Sequence, residues 1–221
     1  MKLQFAFFLL LVLAVAAVPA VAQTDLYDNG PVNGQDLGWT INFGFSVSDS
    51  FTLGSNATVT AASFWAWLIP GDTLTSIEFQ IGAAAFGNEV LEQTLNLTTS
   101  NCFSNQFGYN VCDEIATFNG GGVNLSAGTW WMTLSNANVP SGDPAYWDMN
   151  SGPSQAQENT IGTIPSESFT MWGAGSTSTS TCSGCGCGNN PTCGPEPGSF
   201  LLLGSGVLGI GAMLWMKLRW W

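Results

Sequence analysis

The chain has 221 residues and a formal net charge of −12, with 15 acidic residues, three Lys or Arg and no His. All three cations, Lys2, Lys217 and Arg219, stand near the ends, so Gln23 to Gly194 carries 14 carboxylates and no basic side chain. That stretch has no cations to set against nucleic-acid phosphates, no imidazole for a Ser-His-Asp, Cys-His or His-zinc site, and no amine for Schiff-base chemistry. Carboxylates, hydroxyls, thiols and amides remain. Trypsin should find no cleavage site there, folded or unfolded.

In chain order, Met1-Lys2 is a minimal charged start, and Leu3 to Val18 is almost wholly apolar. Ala20-Val21-Ala22 supplies the small residues that signal peptidase accepts. Residues 1–22 therefore read as a secretory signal peptide, cut after Ala22, with Ala20 and Ala22 at the cleavage site. Export across a bacterial inner membrane is the expectation.

Residues 23–173 are written in the two-residue period of strands. Trp39, Ile41, Phe43, Phe45 and Val47 alternate with polar or small residues, as do Ile77, Phe79 and Ile81, and Trp130, Met132 and Leu134. Val59 to Leu68 is apolar on both faces and predicts a central strand. Shorter candidates are Leu91–Thr98, Glu114–Phe118, Val123–Leu125, Ala145–Met149 and Ser168–Trp172, separated by Gly-, Asn- and Pro-rich turns such as Asp28-Asn29-Gly30-Pro31. No sustained helical period interrupts them. The predicted fold is all-β, a two-sheet antiparallel β-sandwich of jelly-roll type, flanked by the N-terminal signal helix and a C-terminal transmembrane helix. Asp49-Ser50-Phe51-Thr52-Leu53 is echoed by Glu167-Ser168-Phe169-Thr170-Met171. The echo fits either chance or two strands lying together in one sheet.

Residues 174–194 form a Ser/Thr/Gly/Cys-rich tether. Pro195-Glu196-Pro197 follows, then the uncharged stretch 199–216, then Lys217 and Arg219. As a helix, residues 199–216 would span roughly 27 Å, enough for a thin bilayer, and the cations behind it would stay cytoplasmic. The two prolines suppress helix and leave an extended peptide before the span. This tail, residues 195–221, resembles the PEP-CTERM sorting signal, which joins a Pro-Glu-Pro motif, a transmembrane helix and a basic terminus. The resemblance implies an exosortase as partner, a Gram-negative host that makes exopolysaccharide, and transfer of the domain to the cell surface or extracellular matrix. The chain would then be a substrate of that reaction. Residues 23–173 are also similar, more loosely, to sandwich domains found upstream of this signal. The likeness rests on Tyr27-Asp28-Asn29-Gly30, Asp49-Ser50-Phe51, Phe64-Trp65-Ala66-Trp67 and Tyr146-Trp147 before a closing Ser-x-Ser-Phe, and it carries over no activity.

Six cysteines in an exported chain favour disulfides. Cys102 and Cys112 are expected to pair across a loop. Cys182, Cys185, Cys187 and Cys193 crowd into the tether, as two disulfides or a four-thiolate zinc site. Asp25, Asp28, Asn29 and Asp36 bracket a Gly/Pro-rich opening loop that offers hard oxygens to calcium, against the plainer reading of a solvated acidic surface. Trp131 and Trp147 are the tryptophans expected to face outward, where rings beside Asp and Asn suit stacking on sugars. Glu78, Glu89, Glu92 and Asp148 are conceivable glycosidase carboxylates, although no spacing singles out a pair.

The expected function is a non-enzymatic structural or adhesive role, in an exported protein held at the inner membrane and then released to the surface or matrix. The alternative is a polysaccharide- or calcium-binding module, and more distantly a secreted glycosidase.

Overall fold

Residues 24–175 are described by the computed structural model, and every strand pairing within them is antiparallel. In chain order the strands are β1 (Thr24–Asp28), β2 (Gly38–Thr40), β3 (Ser46–Leu53), β4 (Ala57–Leu68), β5 (Ser76–Ala84), β6 (Gly87–Ser104) and β7 (Asn110–Thr117). After the short 3-10 turn Asn119–Gly121 come β8 (Val123–Leu125), β9 (Gly128–Asn138), β10 (Tyr146–Asp148), β11 (Ala156–Glu158), β12 (Gly162–Ile164) and β13 (Phe169–Gly175). The all-β, antiparallel expectation holds.

Hydrogen bonds connect the strands in the order β1-β13-β4-β7-β6-β5-β9-β3-β11-β12, with β10 between β2 and β4 and β8 on the start of β4. The long strand β6 makes the sheet curl. Its first part, through Asn96, pairs with β5, and its second part, from Leu97, pairs with β7. A strand that changes partners along its length turns the sheet around a corner. The curl brings Phe51, Phe79 and Met132 into the same core as Phe64, Trp147 and Phe169. Each such side chain is at most 1% exposed, and each stabilises the fold by about 1.5–3 kcal/mol relative to leaving it in water.

The alternation over Trp39–Val47 does not make one strand. Phe43 and Gly44 have φ of 58° and 87°, and Phe45 N donates to Asn42 O at 3.0 Å, so a tight turn separates β2 from β3. Phe43 and Phe45, expected inside, are exposed on that turn. At the other end β13 continues through Ala174 and Gly175, which pair with Thr58 and Ala57, so the sheet outlasts the composition change at Ala174.

The signal peptide with Ala20 and Ala22 lies outside the described residues. So do the rest of the tether with Cys182, Cys185, Cys187 and Cys193, and the tail with Pro195, Glu196, Pro197, Lys217 and Arg219. By compactness the chain divides into Met1–Thr177 and Ser178–Trp221, the second wholly outside them. Among the described residues no helix is long and apolar enough to cross a membrane.

Candidate functional site

The outward face of β4 carries a group of partly exposed rings. Phe64, Ala66 and Leu68 fill the core, so the intervening Trp65 and Trp67 point the other way. Trp65 lies against Phe103 of β6, with ring centroids 5.8 Å apart. Trp67 stacks on Phe107 and touches Tyr109, each at 5.8 Å, and Tyr109 meets Tyr146 of β10 edge-on at 5.8 Å. Trp67 is the buried floor of this group. Phe103 and Phe107 are 41% and 55% exposed, and Trp65, Tyr109 and Tyr146 are half-buried.

Local chemistry explains why the β6–β7 hairpin holds its rings there. Cys102 and Cys112 are cross-strand neighbours and form a disulfide. The expected pair is present, but it joins two paired strands and not the ends of a loop. Beyond it, Asn105 folds the turn: its Oδ1 accepts the N–H groups of Phe107 and Tyr109, both at 3.0 Å, and its own N–H donates to Tyr109 O. An Asx-type turn of this kind displays the side chains at its tip.

Asp148 fixes the other side of the face from beneath. It is fully buried, and its carboxylate accepts four hydrogen bonds. Trp67 Nε1 donates to Oδ1 at 2.6 Å and Gly34 N at 2.8 Å, while Asn33 N and Ser168 Oγ donate to Oδ2 at 2.8 and 3.1 Å. One carboxylate thus anchors a ring of the face and also the loop that borders it. Gly34 has φ of +63°, a conformation that favours glycine, and a Cβ there would come within 2.9 Å of the Phe103 ring, which would have to shift. The same loop walls a cleft of about 430 Å³ between Gly30–Asn33 and Asn150–Pro153. Burial pushes the Asp148 carboxyl above its ordinary range, and the four donors oppose the shift.

A second polar centre lies inside the fold. Asp49 Oδ2 accepts Glu167 N at 2.7 Å, and Oδ1 accepts Ser50 N at 2.7 Å. The Asn29 amide donates into the same cluster, reaching Ser154 Oγ, Ser166 Oγ and Glu167 O within 2.7 Å. Burial, with its backbone donors opposing, pushes Asp49 up to about 6. Glu167 is fully buried, and neither carboxyl oxygen has a hydrogen-bond partner. Burial first, then the charges of Asp49 and Asp148, hold it well above the usual carboxylate range. Glu114, buried in β7 with Thr99 donating to one oxygen, is pushed up to about 7. These acids share a cause, removal from water without a cation to pair with.

The predicted site residues are distributed differently. Trp147 is fully buried, packs on Phe64 and Phe169, and donates Nε1 to Ser168 O, which corrects its expected exposure. In the short strand β10 the residue facing outward is its neighbour, Tyr146. Trp131 is half-buried, paired with Gly82 and Ser50 and remote in register from the β4 rings. The proposed calcium residues do not converge. Asn29 is buried in the inner cluster, Asp28 Oδ1 accepts Gly30 N, and Asp36 Oδ2 accepts the Asn33 amide. Asp25 lies in β1, opposite Trp172. Among the described residues no three acidic, Cys or His side chains are grouped to hold a metal ion.

The four conceivable glycosidase carboxylates are also dispersed. Glu78 and Glu92 lie on the β5–β6 surface around Gln80, Glu89 is exposed, and Asp148 spends its oxygens on structural donors. Sequence reasoning missed Phe103, Phe107, Tyr109 and Tyr146. The available signal was three aromatics set among Ser, Asn and Gln around a short Cys–Cys spacing. No protein-family model matches this chain, and no curated protein matches it either.

Proposed function

We propose that this is an exported protein of the cell surface or extracellular matrix whose β-domain adheres to polysaccharide through the aromatic face of β4, β6, the β6–β7 turn and β10. The observation that carries the reading is the group Trp65, Phe103, Phe107, Tyr109 and Tyr146, held on a rigid sheet over Trp67 and Asp148. Flat rings on a preorganised surface, edged by hydroxyl and amide side chains, suit the apolar faces of pyranose rings. The Cys102–Cys112 disulfide supports export, because such bonds persist in oxidising compartments. Signal peptide, tether and PEP-CTERM-like tail supply the route: signal peptidase first, inner-membrane anchoring next, exosortase processing last. On this reading the curled sheet is a jelly-roll-like sandwich serving as a non-catalytic scaffold.

The test is retention on immobilised polysaccharides. Wild-type domain is expected to bind, and the double variant Trp65→Ala/Phe107→Ala to lose binding while keeping its far-UV spectrum. Equal retention of both would overturn the assignment of the face. In an exosortase-positive host, mass spectrometry finding Trp221 still attached to the mature protein would overturn the processing step.

A further inference from the structure

The aromatic face holds negative charge that no described residue neutralises. Asp113 is the cross-strand partner of Trp65 and shares its outward side, which places their Cβ atoms about 5 Å apart. Ser100 Oγ donates to Asp113 Oδ2 at 2.6 Å, and Oδ1, shielded from solvent, accepts no hydrogen bond. Asp36 is exposed in the loop that Gly34 seats on Phe103, and Gln106 of the aromatic hairpin donates to the neighbouring Gln35 O. From Gln23 to Gly194 there is no Lys, Arg or His to offset these charges. The resulting field opposes a polyuronate, a sulfated chain or a phosphorylated one, and favours a polymer that brings cations of its own. Aromatic faces add to the preference, because an ammonium group over Trp or Tyr is attracted by the ring quadrupole.

We infer that the aromatic face takes a polysaccharide bearing free amino groups, an amino-sugar polymer with part of its N-acetyl groups removed. The inference rests on the proposed glycan-binding role of the same face, so the experiment separates the two. Binding of the described domain is measured on poly-N-acetylglucosamine, on the same polymer partly de-N-acetylated, on a neutral glucan and on a polyuronate, in mildly acidic buffer at low and high salt. The de-N-acetylated polymer is expected to bind on the order of tenfold more tightly than its acetylated parent, with the difference shrinking in salt. Asp113→Asn is expected to remove most of that difference, with its far-UV spectrum and urea midpoint showing that the variant is folded. Glu89→Gln/Glu92→Gln removes two carboxylates elsewhere on the surface and is expected to change nothing.

Equal binding of the two polymers would overturn the amino-sugar inference and leave the glycan-binding face standing. So would an Asp113→Asn effect matched by Glu89→Gln/Glu92→Gln, which would show general charge attraction. If Trp65→Ala/Phe107→Ala binds every polymer as wild type does, both readings fall.

Discussion

The Asp49 carboxylate accepts the main-chain N–H of Glu167 at 2.7 Å, joining the middle of β3 to the segment that leads into β13. These are the first residues of the two echoed pentapeptides, and their third residues also meet: Phe51 and Phe169 pack edge to face at 6.5 Å. The echoed segments do not pair as neighbouring strands. β3 bonds β9 and β11, whereas β13 bonds β1 and β4, so corresponding positions face each other through the core.

That contact should be expensive to remove. Asp49→Ala leaves the buried Glu167 N–H without its acceptor, whereas Ser50 N–H keeps Gln155 O. An orphaned buried donor costs about 1–3 kcal/mol, so urea unfolding should show a loss of about that size. A change within about 0.5 kcal/mol would mean that water or a neighbouring oxygen replaces the carboxylate.

The buried acids predict an inverted pH dependence. Burial pushes Asp49 up to about 6 and Glu114 up to about 7, from ordinary values of 3.8 and 4.5, and holds Glu167 well above the usual carboxylate range. The folded protein therefore keeps protons that the unfolded chain has already released. The stabilisation is fully present below about pH 4 and is lost as pH rises through about 6–7. Asp49 and Glu114 each contribute on the order of a few kcal/mol. Urea midpoints should fall between about pH 5 and pH 8, and repulsion among uncompensated carboxylates acts in the same direction. Glu167→Gln, which mimics the protonated acid, should flatten the slope and raise stability at pH 8. A midpoint that rises with pH would contradict this account.

How much of this was visible in the sequence depends on what kept the two-residue period in phase. The alternation of Ile77, Phe79 and Ile81 and of Met132 and Leu134 gave the right faces, because pairing with both neighbours keeps Phe79–Ile81 and Met132–Leu134 in unbroken register. Over Trp39–Val47 the same signal misled, since the left-handed pair Phe43–Gly44 turns the chain without disturbing the pattern of residue types. Trp147 failed by one residue: in a three-residue strand, which side faces in is set by its partners β2 and β4 and not by its own sequence. The aromatic face was hidden for a related reason. Its members come from β4, β6, β10 and the β6–β7 turn, and only the tertiary register brings them together. The inner cluster gave no local signal either, because Asn29, Asp49, Asp148 and Glu167 resemble surface residues wherever burial is unknown.

Asp148 should behave as a positioning residue for the face. Asp148→Asn replaces one acceptor oxygen with an amide that cannot take the Trp67 and Gly34 donors, or those of Asn33 and Ser168. We expect a loss of about 2–4 kcal/mol in stability. Glycan affinity should fall together with a change in tryptophan emission, as Trp67 and the bordering loop loosen. Unchanged glycan affinity in a folded Asp148→Asn variant would separate the face from its proposed anchor.

The disulfide gives the last prediction, because it acts on stability and on the face through one hairpin. Cys102 and Cys112 are 10 residues apart across the β6–β7 hairpin, and in the chain-entropy picture that cross-link stabilises the fold by about 2–3 kcal/mol. The bond joins residues already paired in β6 and β7, so the strands should persist in Cys102→Ser/Cys112→Ser while unfolding at lower denaturant. Phe103 neighbours Cys102, and Phe107 and Tyr109 lie inside the loop, so fraying should weaken glycan binding before the domain unfolds. Binding and circular dichroism measured across a denaturant series would show two separated transitions in the variant and one in the oxidised wild type. If both activities fell together in the variant, the disulfide would be a general brace and not a specific support for the aromatic face.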